Sequence, residues 1–373
     1  IEGPKPVPHA DFFAFGIGAT VIGDAHLVDA HAHLSDLRHD LGLDTETVLL
    51  DLHGLDDLAT EHLVAGFHVG QVQISEDVGY QGLSKTLNLI TGQALASAGH
   101  EIEKALDGAD IIYAVGPAYS TRPFAEACKP LLKKGQIVIV CPSSCGGAIE
   151  FKIGAGLDLR DEEIVVAETS TLPYAVRLLE PGKIRIFNKL KGGLFLAAVP
   201  AKNTDHVLER VRDVYPTMSA AKNILQTSLQ NGNPVIHPTI TLMNVALIER
   251  TKGDFDFYHE GVTPAVGRLI EAVDRERIAI GKKLGVDVIP DPELGVMQGY
   301  MTEATYDNGF INAPGFRGVK AQSSLDYRYF NEDVGYGLVF LQKLGEQVGV
   351  ATPVMSAVIT LVSLLMNRDY AGE

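Results

Sequence analysis

The 373-residue sequence predicts an α/β unit over residues 1–200, built on a doubly wound, mostly parallel sheet, followed by an all-helical unit over residues 201–373. Two observations carry this. Up to about residue 200, short continuous apolar runs rich in β-branched residues alternate with segments of helical spacing, the pattern of strands covered on both faces by helices. Beyond Lys202 strand patterns nearly vanish and apolar residues recur at helical spacing. The length agrees, being too great for one ordinary core.

Taken in order, strands are expected at 12–15, 48–50, 111–115, 137–140, 164–166, 184–187 and 195–199. A helix is expected at 123–132, stopped by Lys133-Lys134-Gly135. In the second half, Val207, Leu208, Val211 and Val214 fall on one helical face, as do Leu242, Val245 and Ile248. The same spacing joins Val266, Leu269, Ile270 and Val273, and later Leu338, Leu341 and Leu344. With no flexible linker between the units, a cleft between them is the expected ligand site.

Composition narrows the partners. Hydrophobic residues make up 46% and charged residues 21%, the balance of a folded chain rather than a disordered one. A net charge of −16 argues against nucleic acid and against an anionic membrane. The three cysteines, Cys128, Cys141 and Cys145, form no disulfide framework, which favours a reducing compartment. The most apolar stretch, 354–366, is about two-thirds of a membrane span. It also carries a polar stripe of Ser356, Thr360 and Ser363. The first nine residues lack the basic-then-apolar order of a signal peptide, so a soluble cytoplasmic protein is expected.

Several motifs could carry chemistry. Gly16-Ile17-Gly18 follows the first strand, where two glycines permit a tight turn and close approach to a pyrophosphate at a helix N-terminus. Val21 stands where the third glycine of a Rossmann fingerprint belongs, and a plain tight turn is an equal reading. Asp51, ending a second strand, could accept the ribose hydroxyls of NAD and repel the extra phosphate of NADP; a solvated acid at a strand end weighs equally. His31 and His33, two apart, resemble the His-x-His strand of metal amidohydrolases. That chemistry needs further ligands from later barrel strands, which the helical second half does not supply. Tyr113-Ala114-Val115 leads into Gly116-Pro117, and Cys141-Pro142-Ser143-Ser144-Cys145 leads into Gly146-Gly147; both suit close backbone approach at strand ends. Cys141 and Cys145 read as core or loop thiols. In Asn233-Pro234-Val235-Ile236-His237-Pro238, Pro238 is placed to open a helix, leaving His237 at its N-terminal boundary. The helix dipole there disfavours imidazolium, and neutrality is what a general base needs; a simple capping histidine is the alternative. Finally, Arg328-Tyr329-Phe330-Asn331-Glu332-Asp333 is either a solvated charged face or an arginine aimed at a carboxylate.

The last two motifs together resemble the opine dehydrogenases. Supporting matches are Gly146-Gly147-Ala148-x-Glu150-Phe151, Glu168-Thr169-Ser170 and Glu260-Gly261-Val262-Thr263-Pro264. The likeness runs from about Gly108 to the last helix and looks nearest to bacterial members acting on neutral amino acids. It implies NAD(P)-dependent reductive condensation of an amino acid with a 2-oxo acid to an N-(carboxyalkyl)amino acid. It implies His237 as acid/base, Asp333 as its partner, and Arg328 as the carboxylate anchor. Asn233, Glu168 and Thr263 are then expected at the substrate. Gly16, Gly18, Asp51, Gly116, Pro117 and Gly146 are expected at the cofactor, NAD preferred over NADP, with no metal. The partners expected are the two small substrates, with a homodimer as the assembly this reading allows. The rival readings are a simple 2-oxo-acid reductase, a zinc amidohydrolase through His31 and His33, and a non-catalytic NAD-binding sensor.

Overall fold

The computed structural model describes residues 49–52, 72–74, 102–180 and 183–372. The expected strand at 12–15, the glycine pair Gly16 and Gly18, and His31 and His33 lie outside the described residues.

The strands are β1 (Leu49–Leu52), β2 (Val72–Ile74), β3 (Ile111–Ala114), β4 (Ile137–Val140), β5 (Val165–Thr169), β6 (Tyr174–Glu180), β7 (Lys183–Lys189), β8 (Leu194–Val199) and β9 (Met218–Ala220). Five of them form a sheet in the order β3-β4-β5-β8-β9. β3, β4 and β5 run parallel; α1 (Ile102–Leu106) precedes β3, and α2 (Thr121–Cys128) and α3 (Gly147–Ala155) lie in the two intervening segments. Alternate residues of one strand feed opposite cores. Ile111 and Tyr113 pack with Ile137, Ile139 and Leu196, whereas Ile112 and Ala114 pack with Val138, Phe124 and Phe151. Burial on both faces is why these strands read as unbroken apolar runs.

Two features depart from the sequence expectation. First, β8 runs antiparallel to β5, because the chain leaves the sheet through the β6–β7 hairpin and returns from the other direction. That hairpin belongs to a separate antiparallel sheet of order β2-β1-β7-β6, so the expected strands at 48–50 and 184–187 exist but lie outside the parallel layer. Second, α4 (Thr204–Val211) and β9 continue the first unit: β9 pairs with β8, and Val207, Leu208 and Val211 pack into one of the sheet's cores. The turn to helix alone comes after Ala220, about twenty residues later than the pattern suggested.

From there the helices are α5 (Ile224–Leu229), α6 (Asn233–Met243), α7 (Val245–Thr251), α8 (Pro264–Leu284), α9 (Asp291–Gln298), α10 (Asn308–Ile311), α11 (Arg328–Asn331), α12 (Val339–Val348) and α13 (Pro353–Met366). α8 is the spine. Thr263 caps its start, accepting from the Val266 amide, and left-handed Gly285 ends it. Its apolar stripe of Val266, Ile270, Val273 and Ile280 shares one core with Ile240, Leu341, Val358 and Val362. Among the described residues no helix is long and apolar enough to cross a membrane.

Candidate active site

The site begins with how α6 starts. The sequence placed a helix start at Pro238, but α6 opens at Asn233, since Pro234 suits the first turn equally well and Pro238 falls inside the helix. His237 therefore sits in the second turn, beyond the reach of the dipole argument, which fades after the first. Side chains hold it instead. The His237 Nδ1 lies 2.8 Å from Asp333 Oδ2, and Nε2 lies 2.9 Å from the Tyr258 hydroxyl. The imidazole stacks on Tyr329 at 4.0 Å between centroids and is only 6% exposed. Both ring nitrogens are thus engaged and the ring plane is fixed.

Asp333 and Glu332 are consecutive acids at the head of a π-helical turn, Asp333–Leu338, an element frequent at functional sites. Burial pushes the Asp333 carboxyl up to about 7, with Arg328 pulling it down. Glu332 serves a different partner. Its Oε2 lies 3.2 Å from Arg328 Nε. Its Oε1 accepts from the Ala118 amide at 3.0 Å and from the Ser144 hydroxyl at 2.6 Å. Burial would lower the Arg328 pKa, but Glu332 and Asp333 together raise it, so the guanidinium stays charged.

His237, Arg328, Asn233, Tyr258 and Tyr329 line one cleft of about 140 Å³, whose apolar wall includes Ile236, Leu294, Phe310 and Phe316. The structure therefore brings together the histidine, its acid, the arginine and Asn233. It does not bring in Glu168 or Thr263. Glu168 is fully buried and accepts from the Ala148 amide at 2.9 Å and the Thr227 hydroxyl at 2.5 Å. It is a tie between α3 and α5, and burial raises its pKa to about 7. Thr263 is exposed at the start of α8, where it caps the helix.

Of the residues expected at the cofactor, Gly116, Pro117 and Gly146 stand where β3 and β4 end. A side chain at Gly116 would collide with Ser120 Oγ and Phe124. Gly146 is left-handed, as are Ser144 and Cys145 before it, and only Phe340 approaches where its side chain would project. These loops leave room at the carboxyl edge of parallel strands, where dinucleotides bind in such sheets. Asp51 does not join them. It pairs with Gln73 and Lys183 inside the separate antiparallel sheet. Gly16 and Gly18 lie outside the described residues. No group of three metal-ligating side chains occurs among the described residues.

Sequence reasoning missed Tyr258 and the role of Glu332. Glu332 stood inside a quoted motif, but nothing local distinguishes an acid that bridges from one that is solvated. Tyr258 precedes the matched Glu260-Gly261 segment by two residues, a proximity that could have drawn attention to it.

Residues 220–366 match the family described as NAD/NADP octopine/nopaline dehydrogenase, alpha-helical domain. An opine dehydrogenase of Arthrobacter sp. (strain 1C) is 35% identical over 317 residues, covering 82% of this chain and 87% of that protein. A tauropine dehydrogenase of Arabella iricolor is 26% identical, covering 72% and 74%. An octopine dehydrogenase structure with NADH and L-arginine has the same fold, with a TM-score of 0.59 at 17% identity, covering 89% of this chain and 80% of that one. At 35% identity to the Arthrobacter enzyme over most of both proteins, the chain belongs to the opine dehydrogenase family.

Proposed function

We propose that this chain uses NAD(P)H to join an amino acid to a 2-oxo acid through imine reduction, and catalyses the reverse oxidation of the resulting N-(carboxyalkyl)amino acid. One observation supports this above all: a buried histidine fixed at both nitrogens, beside an arginine and within the same cleft. Arg328, ion-paired with Glu332, presents its guanidinium to the oxo-acid carboxylate. His237 takes a proton from the attacking amine and returns one to the departing carbinolamine oxygen, a role for an imidazole that can both accept and donate near neutrality. Asp333 holds Nδ1 and balances the charge when the ring is protonated. Tyr258, on Nε2, bridges the ring to the cleft. Phe310, Phe316 and Ile236 exclude water from the imine, which would otherwise hydrolyse. The dinucleotide, when bound, supplies the hydride; Gly116, Pro117 and Gly146 are the described residues whose loops would hold its nicotinamide end.

The preference for NAD over NADP rested on Asp51. It is decided by comparing NADH with NADPH in the wild type and in Asp51→Ser. The cytoplasm remains the compartment we favour, on the unpaired cysteines. The overall reading is tested by following NADH consumption over a grid of amino acids and 2-oxo acids. Turnover is expected only when both are present. Oxidation with pyruvate alone, as fast as with any amino acid, overturns it in favour of a simple 2-oxo-acid reductase, the second activity this cleft could support.

A further inference from the structure

Beyond His237 and Arg328, the cleft contains a charged group that the mechanism above does not use. Asp291 begins α9, lines the cleft and is 7% exposed. It is the one acid among the described residues of the cleft wall. Its backbone amide donates to Asp274 Oδ2 at 2.8 Å, but its own carboxylate receives no hydrogen bond from the described residues. The nearby cation is committed elsewhere. Arg277, fully buried, donates through Nε to Asp274 at 2.6 Å, through Nη1 to the Leu229 carbonyl, and through Nη2 to the Ile289 carbonyl at 2.9 Å. The Tyr306 hydroxyl also goes to Asp274, at 2.6 Å. Two buried carboxylates thus share one guanidinium, and both its attention and the tyrosine's are given to Asp274. Asp274 takes the cluster's donors, and the carboxyl left without one is the one that faces the cleft.

A buried acid without a donor is expensive unless something pairs with it. Space has been kept for it to remain where it is. A side chain on Gly232, the residue before α6, would collide with Asp291 Oδ1. Asp291 therefore stands at the start of the helix that carries His237, five residues along, or about 7.5 Å down the helix axis. Arg328 supplies a positive point in the cleft and Asp291 a negative one.

We propose that Asp291 is the binding point for the protonated nitrogen of the amine substrate, complementing the carboxylate site at Arg328. This rests on the amino-acid-plus-oxo-acid reading given above. The nitrogen is either the α-ammonium, before it is deprotonated for attack, or a cation at the end of the side chain. The chemistry is the same, an N–H cation donating to a buried carboxylate.

Two amino acids of equal length separate the sources: L-norvaline, with a neutral side chain, and L-ornithine, with a terminal ammonium. The assay is NADH oxidation by the full-length enzyme with saturating pyruvate, comparing wild type with Asp291→Asn. Loss of a charge-assisted hydrogen bond should raise the amine KM by about tenfold to a hundredfold, with the pyruvate KM within about twofold. A rise for both amines assigns Asp291 to the α-nitrogen; a rise for ornithine alone assigns it to the side-chain cation. Either supports the proposal. An amine KM unchanged for both, or a pyruvate KM that rises in step with it, overturns it. Gly232→Ala, which displaces the carboxylate without removing it, should shift the amine KM in the same direction and serves if Asp291→Asn fails to fold. If neither amino acid accelerates NADH oxidation over pyruvate alone in the wild type, it is the underlying reading that has failed. That outcome is distinct from amine-dependent turnover indifferent to Asp291.

Discussion

Replacing Asp333 with asparagine tests the centre of the mechanism. The substitution keeps shape and the capacity to accept a hydrogen bond, and removes only charge. In the native site Asp333 Oδ2 stands 2.8 Å from His237 Nδ1, and both side chains are nearly buried. When His237 takes the amine proton, an imidazolium forms beside a carboxylate. With charge centres about 4 Å apart and an effective dielectric of about 20, that attraction is roughly 4 kcal/mol. At 1.36 kcal/mol per decade, its loss should lower kcat by about a thousandfold. Asparagine can also turn its amide nitrogen toward Nδ1, which would leave Nε2 protonated and unable to accept. The assay is steady-state NADH oxidation at saturating amine and pyruvate, with unfolding monitored separately. His237→Ala combined with Asp333→Asn should be little slower than His237→Ala alone, because the two side chains act as a unit. A kcat for Asp333→Asn within tenfold of wild type, or losses that add fully in the double variant, would refute the assignment.

Tyr258→Phe removes a 2.9 Å hydrogen bond to Nε2 and should lower kcat by about two- to tenfold, the usual worth of a neutral hydrogen bond; an unchanged pH–rate profile and kcat would place Tyr258 outside the proton path. Arg328→Lys keeps a charge for buried Glu332 but loses the planar fork, so the pyruvate KM should rise by about tenfold with a smaller change in kcat. A KM rise for the amine instead would move the arginine to the other substrate. Stability should fall as pH rises from about 4 to 7. Burial lifts Glu168 and Asp291 to about 7, well above their unfolded values near 4, so between those limits the folded chain binds more protons than the unfolded one. Melting should therefore occur at higher temperature at pH 5.5 than at pH 8, and Glu168→Gln should flatten the slope; a melting temperature that climbs over that interval contradicts this. Exhaustive treatment with a chelator should leave turnover intact, and loss reversed by zinc would revive His31 and His33 as ligands.

The chemistry-bearing side chains were more legible in the sequence than their surroundings. His237, Arg328 and Asp333 belong to short motifs whose residue types admit few uses, and the structure gathers all three. The parallel strands were legible because both their faces are buried, which writes unbroken apolar runs. β7 was located but misassigned to the parallel layer, although Lys183-Ile184-Arg185-Ile186 alternates polar with apolar, the mark of an antiparallel strand. β9, three residues long, is too short to leave a periodic signal, so the boundary between the units fell early. The start of α6 was misjudged because two prolines four residues apart both suit a helix opening, and only tertiary packing selects between them. Glu332 and Asp291 were invisible for a common reason. Each is an acid near a helix end, where acids are ordinary, and each gains meaning from residues far away in the chain.

The π-helical turn imposes a constraint of register. The Glu332 carbonyl accepts from Tyr336 at 2.9 Å and also from Gly337 at 3.2 Å, so the helix changes winding immediately after the two acids. Gly337 is pressed against Pro234, one turn before His237. With the winding otherwise unchanged, inserting one residue between Val334 and Leu338 would turn one side of the join relative to the other by about 100°. Leu338 and Leu341 fix the downstream side in the core, so the rotation would fall on Glu332 and Asp333, detaching one from Arg328 and the other from His237 together. Substitutions in this turn should be tolerated according to size, whereas insertion of a single residue should abolish turnover in a chain that still folds. The reading frame of the helix is thereby as much a part of the site as the side chains it carries.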